Sequence, residues 1–158
     1  MKEKNGLMRS AVREAAKNLK WMHGGPFGAC LIKGGSILAL SRNTVLKNQD
    51  PTCHAEMNAI RTAAKKLGTF DLSGCVIYST TEPCPMCFSA IHWAKIDTVF
   101  YGTETKDAKR IGFNELNIPD RILKKIGKSK VKLVRSSLLK ECRDLLSAWE
   151  RLPRKKLY

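Results

Sequence analysis

Two short motifs constrain this chain more than any other feature of its sequence. The first is His-Ala-Glu at residues 54–56, and the second is Pro-Cys-Pro-Met-Cys at residues 83–87. Together they supply one imidazole, two thiols and a carboxylate that need not bind a metal. A structural zinc site usually has four protein ligands, whereas a catalytic site leaves one position open for water. Three ligands and a spare glutamate therefore indicate a catalytic zinc with its own proton carrier.

The spacing within each motif suits the first turn of a helix. Cys84 and Cys87 are three residues apart and share a helix face, and Pro85 fits a first turn, where a missing N–H costs nothing. A helix N-terminus also favours the thiolate form that binds zinc. His54 and Glu56 would diverge in mid-helix, but both can point past a helix end. We expect His54, Cys84 and Cys87 to hold one Zn2+ per subunit, and Glu56 to move the protons of its water.

Each motif alone has an ordinary explanation. A lone C-x-x-C pair is equally typical of a redox pair and of half a structural zinc site, and a lone histidine is more often a surface or capping residue. His23 and His92 are the other two histidines, and neither has a spacing that completes a second site. The two motifs in this order, with room for a helix and a strand between them, favour the catalytic zinc.

Size and cysteine content indicate a single, reduced domain. The 158 residues suffice for one core, so we expect one domain over residues 1–158. No apolar stretch is long enough to cross a membrane, and the N-terminus lacks the apolar core of a secretion signal. The four other cysteines lie in apolar or helical stretches, which favours buried, reduced thiols and a cytoplasmic location. They are Cys30, Cys53, Cys75 and Cys142.

The order of apolar patterns predicts an α/β domain. We expect helices over residues 10–20, 55–67, 86–94 and 138–152, and strands over residues 27–33, 36–41, 75–79, 97–101 and 131–134. Gly34-Gly35 predicts a tight hairpin between the first two strands. The crossovers imply a mixed sheet with helices on both faces. Both zinc motifs would then open neighbouring crossover helices, where sites are commonly built.

Four segments carry a more specific resemblance. They are Gly-Gly-Pro-Phe-Gly-Ala at residues 24–29, Asn43, Asp-Pro-Thr-Cys-His-Ala-Glu at residues 50–56, and Glu-Pro-Cys-Pro-Met-Cys at residues 82–87. In this order they resemble the cytidine deaminase superfamily, whose nucleobase deaminases carry H-x-E…P-C-x-x-C. The most similar branches are bacterial guanine deaminases and tRNA adenosine deaminases. The resemblance implies a three-layer α/β/α fold with a central mixed five-stranded sheet, and a homodimer or higher assembly.

Two regions favour the guanine branch of this resemblance. Residues 107–115, Asp-Ala-Lys-Arg-Ile-Gly-Phe-Asn-Glu, are similar to a guanine deaminase pattern. The last of them, Glu115, matches a family aspartate that helps to bind and protonate guanine. The chain also ends in Tyr158 after Lys155-Lys156, as the guanine deaminases it resembles do. In those enzymes the C-terminal segment is exchanged between subunits and caps the pocket, and whether residues 136–158 do so here is left open.

The resemblance also implies a pocket for a flat purine ring. Such a ring needs an aromatic face and a few directed polar groups. Phe27 is the candidate stacking surface, Asn43 offers a donor and an acceptor, and the backbone N–H of Ala55 is a candidate contact to substrate or to the metal-bound water. The expected reaction is attack of zinc hydroxide on the amine-bearing carbon, with Glu56 as proton shuttle and ammonia as leaving group. Guanine would give xanthine.

The charge of the chain favours a different substrate. The sequence has 29 Lys and Arg against 14 Asp and Glu, a net charge of +15, and a positive surface attracts polyanions. The alternative is therefore a tRNA adenosine deaminase that forms inosine at the anticodon wobble position. A third hypothesis is a non-catalytic nucleic-acid-binding protein on a deaminase scaffold. Glu56 disfavours it, because a proton carrier has no structural duty once zinc is bound.

Overall fold

The protein is built on a single five-stranded sheet. The computed structural model describes residues 2–136 and 138–158, so Met1 and Ser137 of the predicted domain and C-terminal segment lie outside the described residues. The strands are β1 (Gly28–Lys33), β2 (Ser36–Arg42), β3 (Cys75–Thr81), β4 (Thr98–Thr103) and β5 (Lys132–Arg135). Their order is β2-β1-β3-β4-β5. The strand β1 is antiparallel to β2 and β3, whereas β3, β4 and β5 run parallel, which confirms the mixed sheet.

The hairpin between β1 and β2 turns at the predicted glycines. Gly34 and Gly35 have φ values of +54° and +80°. Two successive positive φ values are what a type I′ hairpin turn requires, and glycine adopts them without strain. Lys33 pairs with Ser36 on either side of the turn.

Helices cover both faces of the sheet. The described residues form α1 (Lys2–Ala16), α2 (Asn18–Trp21), α3 (Val45–Asn48), α4 (Ala55–Leu67), α5 (Pro85–Trp93), α6 (Thr105–Arg110), α7 (Asp120–Ile126) and α8 (Leu139–Glu150). None of these helices is long and apolar enough to span a membrane.

Adjacent strand residues supply two separate cores. Leu31 and Ile77 pack on one face with the helices α4 and α5. Cys30 and Tyr78, their neighbours in sequence, pack on the other face with α1 and α8. Successive side chains of a strand point to opposite faces, so continuously apolar strands fill both layers. The three-layer α/β/α arrangement is therefore confirmed.

The two zinc motifs open neighbouring helices, as their spacing predicts. His54 is the N-cap residue of α4 and Cys84 is that of α5, and both have extended backbone conformations. Pro85 occupies the first turn of α5. The helices α4 and α5 contact each other on one face of the sheet, so their first turns form one site beyond the carboxyl end of β3.

The sequence-based assignment differs from the structure near the N-terminus. The expected helix over residues 10–20 is instead α1, which begins at Lys2, followed by a break at Lys17 and the short α2. Asn18 is fully buried just after this break, and its side-chain amide binds the main chain of two other segments. Because of these tertiary contacts, the predicted helix is interrupted at Lys17 and does not run continuously. The sequence does not predict α3, α6 and α7 because helices of four to seven residues are too short to show a helical period.

Candidate active site

The three predicted zinc ligands converge at the starts of α4 and α5. His54, Cys84 and Cys87 offer ligand atoms that all lie within 4.8 Å of one another. The Nδ1 atom of His54 is 3.6 Å from the sulfur of Cys84 and 3.6 Å from that of Cys87. No other cluster of this kind occurs within residues 2–136 and 138–158. The fold therefore assembles the ligand set that the sequence predicts.

The donor set and its spacing fit zinc. Tetrahedral zinc with Zn–S bonds of about 2.3 Å and Zn–N bonds of about 2.0–2.1 Å places sulfur and nitrogen about 3.6 Å apart. Both sulfur–nitrogen distances have this value. Thiolate and imidazole are donors that zinc accepts. Three protein ligands leave a fourth position, as in catalytic zinc sites.

The two ligand thiols have opposite pKa shifts. The hydrogen bond that Cys87 donates lowers the pKa of Cys84 to about 4, although burial acts in the other direction. The same hydrogen bond, together with burial, raises the pKa of Cys87 well above its ordinary value. The site therefore holds a thiolate at neutral pH, and thiolate is the form that binds a metal.

Glu56 lies beside the zinc ligands without belonging to their cluster. Its side chain is buried, with 6% of the residue exposed. Oε1 accepts a hydrogen bond of 2.9 Å from Ser79 Oγ, and Oε2 lies 3.6 Å from the sulfur of Cys87. Burial raises the pKa of the Glu56 carboxyl. A buried carboxyl with one oxygen fixed and the other directed at a metal site has the geometry of a proton carrier.

A small pocket opens in front of these groups. Its volume is about 160 Å³, below the roughly 300–1,000 Å³ of sites for drug-sized ligands. Glu56, Glu82 and Glu115 line it, and no lysine or arginine does so among the described residues. This wall suits one small polar ring and lacks the cationic side chains that usually bind phosphate.

The C-terminal residue of the chain orients Asn43 in this pocket. Tyr158 Oη donates a 2.6 Å hydrogen bond to Asn43 Oδ1 and accepts one of 2.8 Å from the N–H of Gly25. Asn43 Oδ1 also accepts from the N–H of Val45. The buried Nδ2 of Asn43 has no hydrogen-bond partner within the described part of the chain. It is therefore a free donor on the pocket wall.

Aromatic rings form the side of the pocket next to the tail. Phe27 and Phe113 meet edge to face with ring centroids 4.9 Å apart, and Phe113 meets Tyr158 in the same way at 5.4 Å. Trp149 of α8 is fully buried behind Phe113. Gly25 has to be small here, because an added Cβ would lie 2.6 Å from the Phe27 ring. The C-terminal helix and tail thus pack on the pocket of their own chain.

Of two other predicted site residues, Glu115 has its side chain in the pocket and Ala55 does not. Glu115 lines the pocket, and burial raises the pKa of its carboxyl to about 7. The side chain of Ala55 is fully buried in the core and does not line the pocket. Only its backbone N–H, at the first position of α4, is a candidate contact, because the first N–H groups of a helix have no intrahelical acceptor.

Sequence reasoning missed two residues that position the site. Ser79, the partner of Glu56, occupies the core-facing side of β3 two residues after Ile77. A polar residue at this point of an apolar alternation is a signal that could have found it. Asn18 donates hydrogen bonds of 2.8 Å to the carbonyl oxygens of Gly25 and Asn43. No local pattern distinguishes Asn18 from a surface asparagine.

Comparison with known proteins agrees with this site. Residues 1–103 match the family model of the cytidine and deoxycytidylate deaminase zinc-binding region, and the chain belongs to this family of zinc-dependent hydrolytic deaminases. It is 38% identical over 152 residues to guanine deaminase from Bacillus subtilis, covering 96% of this chain and 97% of that one. It is 33% identical over 149 residues to the tRNA-specific adenosine deaminase of the same species, covering 94% and 89%.

Solved structures give the same fold with one difference. Guanine deaminase from Nitrosomonas europaea superposes with a TM-score of 0.84 at 25% identity, covering 92% of this chain and 84% of that one. The structure of Bacillus subtilis guanine deaminase is 37% identical and covers 98% of both chains, yet its TM-score is 0.67. A lower score at higher identity indicates that part of the Bacillus chain lies differently relative to the rest.

Proposed function

We propose that this protein deaminates free guanine to xanthine and ammonia. One observation carries the proposal: the pocket beside the zinc ligands is small, lined by three glutamates, and without lysine or arginine among the described residues. A free base is a small neutral ring, whereas a nucleotide within RNA brings phosphates that need cationic partners. The similarity to two guanine deaminases supports guanine as that base.

The ligands His54, Cys84 and Cys87 would hold one zinc ion. When bound, zinc acts as a Lewis acid that makes water nucleophilic at neutral pH. Glu56 would take a proton from the attacking water at Oε2, because Ser79 occupies Oε1. It would then return that proton to the base and help ammonia to leave. A carboxyl whose pKa is raised by burial suits both halves of this exchange.

Three side chains would orient the base. The unpartnered Nδ2 of Asn43 is a donor for a ring nitrogen or carbonyl oxygen of the purine. The Phe27 ring offers an apolar surface to the ring face. Glu115 would accept hydrogen bonds from ring N–H groups when ionised and donate a proton when neutral, and a pKa of about 7 makes both forms available at neutral pH.

The second candidate is deamination of adenosine in tRNA. The net charge of +15 and the 33% identity to a tRNA-specific adenosine deaminase favour it. The acidic pocket wall disfavours it, because an RNA substrate would bring its backbone to the mouth of a site that has three glutamates. Charge elsewhere on the surface can position a nucleic acid backbone but does not select the base that enters this pocket.

We further infer a homodimer in the cytoplasm. The C-terminal segment that closes the pocket through Tyr158 is the segment exchanged in the enzymes that this chain resembles, and a different position of that segment would account for the lower TM-score with the Bacillus enzyme. None of the six cysteines forms a disulfide, as expected in a reducing compartment.

Product analysis tests the proposed reaction. Zinc-loaded protein would be incubated with guanine, adenine, cytosine and guanosine, and ammonia and the base product would be measured together. We expect xanthine and ammonia in equal amounts from guanine, with Glu56→Ala protein as the blank. Release of ammonia from another base, with none from guanine, would overturn the assignment of guanine while leaving the deaminase chemistry intact.

A further inference from the structure

A strongly basic segment lies away from the catalytic pocket. Residues 121–135 contain seven lysines and arginines and no aspartate or glutamate. They form most of α7, the loop after it and β5. The catalytic pocket makes no use of this charge, because none of these residues lines it.

Three lysines of this segment line a cleft of about 490 Å³. Lys95, Lys128, Lys130 and Lys132 line the cleft together with His92. Lysines with long flexible stems around one cleft produce a concentrated positive potential.

Most of the positive charge in the cleft is uncompensated. Lys95 forms an ion pair of 2.6 Å with Asp71. The other three lysines have no carboxylate within 4.0 Å in the described part of the chain. Asp97 also lines the cleft, and one of its oxygens accepts a hydrogen bond from the N–H of Gly74.

An exposed aromatic surface adjoins the lysines. Trp93, the last residue of α5, is 78% exposed. It lines a second groove of about 300 Å³ with Phe88 and Ile126, and His92 lines both the groove and the cleft. A tryptophan this exposed does not contribute to the core. Its ring face is available to a partner next to the lysines.

The cleft and the catalytic pocket lie at opposite ends of the sheet. The cleft is lined by Asp97 and Val131, which directly precede the parallel strands β4 and β5. The pocket is lined by Thr81 and Glu82 at the other end of β3. The seven residues of β3 span about 20 Å at roughly 3.3 Å per residue. A nucleotide bound in the cleft therefore lies too far away to place its own base beside Glu56.

We propose that the cleft and Trp93 together bind single-stranded nucleic acid, as a docking site and not as a substrate site. The lysines contact successive phosphates, and a base stacks on the Trp93 ring. Proteins that bind single strands without sequence preference combine a cationic groove with exposed aromatic side chains in this way. The site accounts for a basic surface that deamination of a free base does not require, and it is independent of which base the catalytic pocket accepts.

A nucleic acid strand fits this surface better than a second copy of the chain or a free phosphate. A two-fold interface on this face would bring the same lysines of both copies together, and like charges oppose each other. A dedicated phosphate site has converging N–H donors or arginine forks. The cleft instead presents single lysine ammonium groups with an aromatic ring beside them.

Fluorescence polarisation with a labelled oligouridylate of about 12 nucleotides, within the site sizes of single-strand binders, tests the proposal. We expect the triple variant Lys128→Glu, Lys130→Glu, Lys132→Glu to weaken binding at least tenfold. The slope of log affinity against log salt should fall by about 2, because three phosphate contacts are lost. Trp93→Ala should weaken binding about fivefold or more.

A matched variant separates local from overall charge. Lys20→Glu, Lys47→Glu, Lys140→Glu changes three exposed lysines of α2, α3 and α8, which lie toward the catalytic end of the sheet, and removes the same net charge. We expect this variant to bind RNA within about twofold of the unchanged protein, since exposed charges beyond about 10 Å are screened. Both variants should keep the zinc content and deaminase activity of the unchanged protein, which shows that they fold.

Three results would overturn the proposal. The first is equal loss of binding in both triple variants, which would mean that net charge alone attracts RNA. The second is full competition by inorganic phosphate or a mononucleotide at the affinity of the oligomer, which would make the cleft a small-anion site. The third is a change of mass in light scattering for Trp93→Ala without any change in RNA affinity, which would make this face a contact between copies of the chain.

Discussion

The hydroxyl of Tyr158 donates a 2.6 Å hydrogen bond to Oδ1 of Asn43. The last residue of the chain thereby fixes a side chain that lies 115 positions earlier in the sequence. Because Oδ1 is engaged by Tyr158 and by the N–H of Val45, the amide group of Asn43 is left as the pocket's donor. The packing of the tail on the pocket therefore also orients the side chain that is proposed to bind the substrate.

Removing the Tyr158 hydroxyl should weaken substrate binding. In Tyr158→Phe the N–H of Gly25 loses its acceptor and Asn43 loses its donor, at a cost of about 1–3 kcal/mol. We expect KM for the base to rise about tenfold, with a smaller change in kcat, in steady-state kinetics. Lys156→Ala, an exposed change in the same tail, should leave both constants unaltered. An unchanged KM in Tyr158→Phe would mean that Asn43 keeps its orientation without the tail.

Glu56 should be required for turnover and dispensable for zinc. Glu56→Ala should retain one zinc per chain and an unchanged circular dichroism spectrum, while kcat falls at least about 100-fold, the low end of proton-transfer contributions. Ser79→Ala should lower kcat by a smaller factor, of about 10, because it frees Oε1 without removing the carboxyl. Loss of zinc in Glu56→Ala, or continued activity, would contradict the assigned role.

Zinc binding should depend on the three converging residues and on no other thiol. Metal analysis of Cys87→Ala should give less than one-tenth of the normal zinc content, because only two of the three protein ligands then remain. Cys53→Ala is the matched control: Cys53 is a buried thiol that precedes His54 directly but does not join the ligand cluster. Full zinc content in Cys87→Ala would refute the ligand set.

The features that sequence reasoning predicts well are those with local signals. Motif spacing predicts that His54 and Cys84 stand at helix starts, and the paired glycines predict the hairpin, because each depends on backbone geometry within a few residues. Short apolar runs likewise predict the strands. The mixed sheet and its cover of helices on both faces follow from connection rules that apply to most folds.

The features that sequence reasoning misses depend on distant contacts. The break at Lys17 serves the contacts of Asn18 with segments that come later in the chain, and no local propensity encodes it. The opposite placement of the basic cleft and the catalytic pocket also follows only from the folded sheet. From the sequence alone, the basic charge favours a tRNA substrate, whereas residues 107–115 and Tyr158 favour guanine. In the structure the basic cleft and the pocket that contains Glu115 and Tyr158 lie at opposite ends of the sheet.

Asp120 should make folding stability depend on pH. It is fully buried, its two carboxylate oxygens have no partner in the described part of the chain, and burial, followed by Glu82, raises its pKa to about 9. The folded protein therefore holds a proton that an unfolded aspartate, with a pKa near 3.9, releases. Between about pH 4 and pH 9 the free energy of unfolding falls as pH rises, by at most about 1.4 kcal/mol per pH unit.

Asp120→Asn should remove this dependence. The amide is neutral at every pH, so the variant should gain stability over the unchanged protein as pH rises from 5 to 9, in urea unfolding at fixed zinc concentration. The exposed Asp144→Asn should show no such gain. Parallel curves for Asp120→Asn and the unchanged protein would show that Asp120 is ionised in the folded state.

Mixing two inactive variants tests whether the C-terminal segment is exchanged between subunits. If Tyr158 caps the partner's pocket, a mixed dimer of Glu56→Ala and Tyr158→Ala contains one intact pocket, and co-expression should restore up to about one-quarter of normal activity. If Tyr158 caps the pocket of its own chain, every pocket carries one defect and activity stays at the level of the single variants. We expect no restoration, because Tyr158 hydrogen-bonds to Asn43 of its own chain; restored activity would mean that the tails are exchanged between subunits.

The most direct test of the central claim compares two substrates with one preparation. Zinc-loaded protein would be assayed for ammonia release from guanine and from a tRNA anticodon stem-loop with adenosine at the wobble position. Since no lysine or arginine among the described residues lines the pocket, we predict a kcat/KM for guanine that exceeds that for the stem-loop by at least about 100-fold. Efficient conversion of the stem-loop to inosine, with guanine left unchanged, would contradict the account and make the basic surface part of substrate recognition.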